Sequence, residues 1–411
     1  MTAIDRLRGL GQSLWLDGIG RRRLDDGHLQ ALIDDFSITG LASTPTRFDS
    51  VSGVFDVDDI AHRVPATAGL RGDALIKRVL LDDAQTAADK FQPLFEASAW
   101  GEGWVSLTVS PKVVADTPRL AAAVIECHAR AERPNLLIEI PGTAAGMPAI
   151  EAAIFAGVPV GVTLLYSRAH YLAAAQAYMS GIERRLAAGL DAAVVSVASL
   201  PVGAWDRALR AGLPAEVRQK AAAGTTRSTY YRRYREAGMD PQIAAATAMY
   251  VDGDASHGRE VIPQDMHDRV GTAVAQRSYR AYRKLLDSRR WRRLAAAGAS
   301  PQRLLWRDTA TADPLGFDTL YIDALAAPGT INGVTENTLR VFAERGQLRG
   351  ALAHHGEDGE IVLARCARSG INVDAMADML QRDGLRTAAA AWDALQHALA
   401  PRRITISQAP A

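Results

Sequence analysis

The chain has few cysteines, no long apolar run and almost no net charge, and each shortage excludes a class of protein. Its 411 residues include two cysteines, Cys127 and Cys366, which are far apart and form no metal-binding or redox motif. No apolar segment is long enough to cross a bilayer, and the N-terminus lacks the apolar core of a signal peptide. These features predict a cytoplasmic protein that does not have a membrane as partner.

The charge balance and the shortage of lysine limit the partners and the chemistry further. Lysine and arginine number 47 against 46 acidic residues, a formal net charge of +1, so nothing indicates a nucleic-acid partner. Hydrophobic residues make up 48%, enough for a sizeable core. Arginine greatly outnumbers lysine, and amine chemistry is therefore restricted to five side chains: Lys77, Lys90, Lys112, Lys220 and Lys284.

Short β-like runs alternate with longer amphipathic stretches along most of the chain. The predicted strands are Ser13–Asp17, Thr39–Ser43, Val105–Val109, Leu136–Ile140, Gly161–Tyr166, Val194–Ser199, Leu304–Arg307 and Thr330–Gly333. The predicted helices include Arg119–Ala131, Met147–Ala156, Arg168–Ala188, Thr272–Asp287 and Glu336–Arg345. This alternation predicts an α/β fold, a (β/α)8 TIM barrel with its site at the carboxyl ends of the strands.

Two segments are additional to the elements of a minimal eight-stranded barrel. Residues 207–270, between the sixth and seventh predicted strands, are too long for one barrel helix and suggest a helical insert, which could be a lid or an oligomer contact. Residues 351–411 predict a C-terminal helical extension packed on the barrel, which itself spans residues 1–350.

Seven segments of the chain carry a family resemblance in combination: Ser13–Asp17, Gly40–Thr46, Trp104–Val109, Gly161–Ser167, Ser196–Ser199, Pro301–Trp306 and Asp318–Tyr321. Together they resemble the transaldolase family, in particular its long actinobacterial members. The resemblance covers roughly Leu14 to Ala398 and implies a barrel with a site at the strand ends. It also implies that Asp17, Thr163 and Ser199 are site residues, Asp17 being a carboxylate used in proton transfer.

At other positions the chain departs from the family pattern. The resemblance places the Schiff-base lysine of the fourth strand at position 139, where this chain has a glutamate. It places Thr44 and Thr108 where the family has an asparagine and a glutamate, and Asp308 where it has a serine beside the substrate phosphate. The family chemistry that depends on these residues is therefore in doubt.

Glu139 is an isolated carboxyl group in the apolar run Leu136–Ile140, so its burial would be costly without a partner or a use. It cannot form an imine, but a buried carboxyl has a raised pKa and can act as a general acid or base. With Asp17 it would form a pair of carboxylates that divide donor and acceptor roles. The alternative is a structural ion pair of Glu139 with Lys112 or Arg303.

Hydroxyl groups at the predicted strand ends suggest how a ligand could be held. Ser43, Thr44, Thr108, Thr163 and Ser199 would together form a polar, uncharged pocket, although each alone could instead satisfy backbone groups. A phosphorylated sugar needs cationic donors, and Asp308 would repel it, which favours an unphosphorylated ligand. The alternative is that Arg303, Arg307 or an arginine of the insert supplies the cation from a new direction.

The resulting hypothesis is an enzyme on a transaldolase scaffold that has abandoned the imine mechanism. Asp17 and Glu139 would perform acid–base catalysis on a small oxygenated substrate, in aldol-type chemistry, dehydration or cyclisation, within specialised metabolism. No metal or organic cofactor is indicated, and a homodimer is an option. The alternatives are a non-catalytic binding or regulatory protein and a true transaldolase that uses Lys112.

Overall fold

Eight parallel strands form the centre of the molecule, as a computed structural model shows. The strands are β1 (Ser13–Asp17), β2 (Gly40–Ala42), β3 (Trp104–Thr108), β4 (Leu136–Pro141), β5 (Val160–Thr163), β6 (Ser196–Pro201), β7 (Arg303–Arg307) and β8 (Thr330–Val334). Each pairs in parallel with the next, and β8 pairs with β1, so the sheet closes into a barrel. The predicted (β/α)8 fold is confirmed.

Helices surround the barrel. They are α1 (Ala3–Gly9), α2 (His28–Phe36), α3 (Gly72–Ala97), α4 (Thr117–Ala131), α5 (Gly146–Phe155), α6 (Arg168–Ala187), α7 (Gly203–Ala211), α8 (Val270–Leu286), α9 (Arg289–Ala296), α10 (Leu320–Ala324), α11 (Glu336–Arg345), α12 (Glu357–Arg368) and α13 (Val373–Ala398). The structure describes residues 2–18, 26–42, 70–214, 268–310, 319–348, 350–352 and 357–398, together with positions 24, 217, 232, 235 and 241. In these segments, no helix combines the length and apolar character that a bilayer crossing requires.

Local signals in the sequence set the ends of several elements. Helix α4 begins after Asp116, whose side chain accepts a hydrogen bond from the backbone N–H of Arg119, with proline in its first turn. Strand β5 ends at Thr163, earlier than predicted, because Leu164 adopts a positive φ of 58° that a strand cannot continue through. The chain therefore turns outward directly after Thr163.

Three apolar clusters hold the fold together. The largest lies between the strands and the surrounding helices, and includes Leu16, Ile138, Val162 and Trp306. A second fills the barrel interior with alternate strand residues such as Trp15, Leu137 and Leu305. The third joins α7 and α8 to the C-terminal helices α12 and α13. The site therefore lies on a packed barrel core, with the C-terminal helices packed beside it.

Candidate active site

The centre of the site is a buried ion triad in which one arginine joins two carboxylates. Arg307 Nη2 donates to Asp17 Oδ1 at 2.5 Å, and Arg307 Nη1 donates to Glu139 Oε1 at 3.3 Å. The Ser106 hydroxyl donates to the same Glu139 oxygen at 2.7 Å. All three charged residues are less than a tenth exposed. Arg307 thus connects β7 with both β1 and β4.

The alternation of strand residues explains why these side chains meet. Trp15, Leu137 and Leu305 belong to the cluster inside the barrel. Asp17, Glu139 and Arg307 each follow one of them by two positions, so their side chains point inward one step nearer the carboxyl ends. The triad therefore forms the upper layer of the barrel interior.

Burial dominates the electrostatics of Glu139. Loss of solvation raises the pKa of this carboxyl above its usual range, while the Arg307 charge and the Ser106 hydrogen bond oppose that rise. The negative charge of Asp17 raises the pKa of Glu139 further. Among the described residues of the triad, one cation beside two carboxyls leaves a charge of −1 when both are ionised, so a proton on Glu139 would neutralise these three groups.

A cavity of about 380 Å³ opens above the triad. Its lining includes Asp17, Glu139 and Arg307 together with the predicted hydroxyl residues Thr108, Thr163 and Ser199. Ser199 is 3% exposed, and its Oγ has no hydrogen-bond partner in the described part of the chain. A buried donor without a partner costs free energy, so this hydroxyl is available to a ligand. The structure therefore brings six of the predicted side chains, including Asp308, and Arg307 to one cavity.

The expectation of an uncharged pocket is wrong. Besides the triad, the lining includes Arg207, Asp308 and Asp383. Arg207 makes a bidentate ion pair with Asp308, and Asp383 pairs with Arg386. Asp308 thus lies at the cavity as predicted, but its carboxylate is bound to a guanidinium that sequence reasoning did not identify. Pairing with Asp308 also reduces the positive charge that Arg207 could offer to a phosphate.

Arg303 does not belong to this site, and its predicted role in substrate binding is wrong. It begins β7, four residues before Arg307, and therefore lies about 13 Å away along the strand. Its guanidinium contacts Glu102, Ser13 and the Thr330 carbonyl at the amino ends of the strands. The predicted structural partners of Glu139, Arg303 and Lys112, are also incorrect, because Arg307 makes that ion pair.

Among the described residues, no lysine lines the cavity. Lys112 is exposed, and its Nζ donates to Gln396 Oε1 at 2.8 Å. Lys77 pairs with Asp73 on α3. Ser43, Thr44, Lys220 and most of the predicted insert lie outside the described residues. The geometry therefore gives no support to an imine on Lys112.

The C-terminal helix α13 forms one wall of the cavity. Leu380, Gly384, Leu385, Ala388 and Trp392 contribute to the lining. Gln381 donates to the carbonyl oxygens of residues 142 and 164, each at 2.9 Å, and so attaches the helix to the loops after β4 and β5. Sequence reasoning placed helices after residue 350 but had no signal that one of them would lie at the barrel mouth.

Comparison with known proteins agrees with the barrel fold and identifies the family. Residues 14–399 match the family model described as transaldolase/fructose-6-phosphate aldolase. The chain is 33% identical to a transaldolase of Parafrankia sp. over 391 residues, 95% of each protein. It is 32% identical to transaldolase 1 of Streptomyces avermitilis over 399 residues, 97% of this chain and 94% of the relative. A transaldolase of Thermobifida fusca is 31% identical over 396 residues, 96% of each. The chain belongs to the transaldolase family.

Proposed function

We propose that this protein is an enzyme of the transaldolase family that works without an imine at position 139. Its carboxyl groups Asp17 and Glu139 transfer protons on a small, oxygenated, unphosphorylated substrate. The observation that carries the proposal is that both carboxyls and Arg307 line one cavity, to which no described lysine contributes. Aldol-type carbon–carbon chemistry, dehydration and cyclisation can all be catalysed by such a pair, because each transfers a proton to or from carbon or oxygen. Specialised metabolism in the cytoplasm is the expected setting.

The environments of the two carboxyls suggest separate roles. Burial raises the pKa of Glu139, which favours the protonated form and hence the role of general acid toward a carbonyl oxygen. Asp17 makes the shorter contact with the Arg307 guanidinium, 2.5 Å against 3.3 Å for Glu139, and we assign to it the role of base toward a carbon-bound proton. Arg307 can stabilise the negative charge that develops on the substrate oxygen.

The loss of free cations supports an unphosphorylated ligand. Both arginines of the cavity lining are engaged by carboxylates, Arg307 by Asp17 and Glu139 and Arg207 by Asp308. A phosphate would have to displace one of these carboxylates to obtain a charge-assisted hydrogen bond. A hydroxyl or carbonyl oxygen can instead bind beside them, for example at the Ser199 hydroxyl.

Proton transfer can be tested before the natural substrate is identified. In D₂O, Asp17 would take a proton from the carbon next to the carbonyl of hydroxyacetone while Glu139 protonates the carbonyl oxygen. Reversal with a solvent deuteron leaves deuterium on carbon, which proton NMR detects. We expect exchange with the wild-type protein and a loss on the order of a hundredfold or more in Asp17→Asn and Glu139→Gln. Asp393→Asn, the same change at an exposed position of α13 outside the cavity lining, serves as the control. Exchange that persists unchanged in both carboxyl variants would indicate a non-catalytic triad.

The absence of imine chemistry has a separate test. Borohydride treatment with dihydroxyacetone, an unphosphorylated ketone, should leave no adduct on the wild-type protein by mass spectrometry, because a carboxylate cannot condense with a ketone. The double variant Glu139→Lys/Arg307→Ala removes the neighbouring cation and supplies an amine at this position, and we expect it to be trapped. An adduct on any lysine of the wild-type protein would refute the proposal.

A further inference from the structure

The cavity has two chemically different levels, and we infer that its substrate has an apolar body attached to an oxygenated head. This inference rests on the proposed function and specifies its substrate class. The lower level is formed by the strand ends, with the ion triad and the hydroxyls of Thr163 and Ser199. The upper level lies on elements that follow or cover the strands and is lined mainly by apolar side chains. Its polar members are the Arg207–Asp308 ion pair, Asp383 and Thr387.

Two groups of residues form the apolar upper level. From the loops come Val109, Pro111, Val114 and Leu164, and from α13 come Leu380, Leu385, Ala388 and Trp392. Val109, Leu380 and Trp392 are almost fully buried, so they are fixed parts of the wall. A sugar, with an oxygen on nearly every carbon, would lose solvation against these residues without gaining hydrogen bonds. An alkyl or aryl group would instead replace water there at a gain.

Helix α13 is held in place at both ends of the mouth, so the apolar level is preformed. Near its start, Gln381 bonds to the carbonyls of Gly142 and Leu164. Further along, the Trp392 indole N–H donates to Asp73 at 2.9 Å. Between them Gly384 packs so closely that a Cβ at this position would lie 2.7 Å from Leu164 Cδ2. The helix therefore lies directly over the carboxyl end of β5.

The size of the cavity limits the apolar group to roughly one ring. A volume of about 380 Å³ is at the small end of ligand pockets, and the oxygenated head occupies the part above Arg307. The remainder accommodates a phenyl, cyclohexyl or branched alkyl group. The substrate class is therefore an α-oxygenated carbonyl compound with one such group, in contrast to a polyhydroxylated chain.

Calorimetric titration with two ketones that share a head group tests this inference. Hydroxyacetone and 2-hydroxyacetophenone differ in a methyl and a phenyl group on the same carbonyl. We expect the phenyl ketone to bind on the order of tenfold to a hundredfold more tightly, since burying the ring removes apolar surface from water. The variant Leu385→Gln keeps helix propensity but makes the wall polar, and it should reduce this ratio at least several-fold.

The control is Ala389→Gln, an equally helix-compatible change at an exposed position of α13, which should leave the ratio unchanged. Thermal unfolding confirms that both variants fold. Equal affinities for the two ketones, no binding of either, or a ratio that Leu385→Gln leaves intact would each overturn the inference. Since the measurement is of binding, loss of proton exchange in Glu139→Gln does not affect it, and the two proposals can fail separately.

Discussion

Removal of Arg307 should destabilise the protein strongly, and in a way that depends on pH. Arg307 is 8% exposed, and its partners Asp17 and Glu139 are 6% and 5% exposed. Replacing the arginine by methionine keeps the bulk of its aliphatic portion but removes the cation that the two buried carboxyls share. Breaking a buried ion pair in this way costs about 3–5 kcal/mol in the free energy of unfolding. We expect a loss of that size for Arg307→Met at pH 7.5.

The sign of the pH dependence follows from the two carboxyls. Without the cation, burial and mutual repulsion raise their pKa values in the folded state above the unfolded values. Such groups bind protons more tightly when folded, so their contribution to stability is greatest at low pH and is lost as pH rises through the folded pKa. The destabilisation of Arg307→Met should therefore be smaller at pH 5 than at pH 7.5. Urea unfolding, followed by far-UV circular dichroism at both pH values, measures the difference.

Two further variants make the interpretation specific. The triple variant Asp17→Asn/Glu139→Gln/Arg307→Met removes every charge of the triad, and it should recover most of the loss, because neutral replacement of buried ion networks is often tolerated. Arg207→Met breaks the neighbouring pair with Asp308, in which the arginine side chain is 46% exposed, and should cost about 1 kcal/mol or less. A loss for Arg307→Met that is below about 1 kcal/mol, or identical at pH 5 and 7.5, would refute the account of the triad as a buried charge network.

Three other changes have defined outcomes. Asp308→Asn should release Arg207 and increase affinity for inorganic phosphate several-fold by calorimetry; unchanged affinity would show that the pair does not suppress anion binding. Burial raises the pKa of Asp206 to about 6, and this residue caps the start of α8 and accepts from Tyr321. As pH rises from about 4 to about 6, ionisation of Asp206 should lower the free energy of unfolding by up to about 3 kcal/mol. Urea unfolding of Asp206→Asn should not show this pH-dependent loss. Gln381→Ala should weaken the attachment of α13 by about 1–2 kcal/mol and speed hydrogen exchange in this helix, while exchange in the barrel strands stays unchanged.

The barrel was predictable because its signals are local and repeated. Each strand is a short apolar run and most of the helices that follow are amphipathic, so hydrophobic periodicity identifies most elements without knowledge of their contacts. Errors arose where a single residue changes the backbone direction, as at Leu164 with its positive φ. The long helix α3, Gly72–Ala97, was also not among the predicted helices, and it carries a proline, Pro93, in its interior.

The site was predictable only in part, since it depends on which side chains meet across the barrel. Asp17 and Glu139 could be identified from their places at strand ends. Arg307 was considered only as a possible phosphate ligand. It follows the inward-facing Leu305 by two positions, so its side chain also points into the barrel, and it lies at the carboxyl end of β7. Arg303 also points inward, but it lies at the amino end of β7. The alternation of side chains and the position along the strand must therefore be considered together to distinguish the two arginines. The contribution of α13 could not be found this way, because no local pattern encodes a contact between residues more than two hundred positions apart.

The triad explains how the barrel mouth accommodates two buried carboxyls. A carboxylate on β4 faces Asp17 on β1, so the barrel mouth would hold two negative charges in a poorly solvated space. Arg307 supplies the compensating cation from β7, and its long side chain reaches both strands. A positive group thus lies between the carboxyls, and it is a guanidinium that remains protonated and cannot act as a nucleophile. If Glu139 and Arg307 depend on each other in this way, their substitutions should be strongly non-additive in stability, which the single and multiple variants described above measure directly.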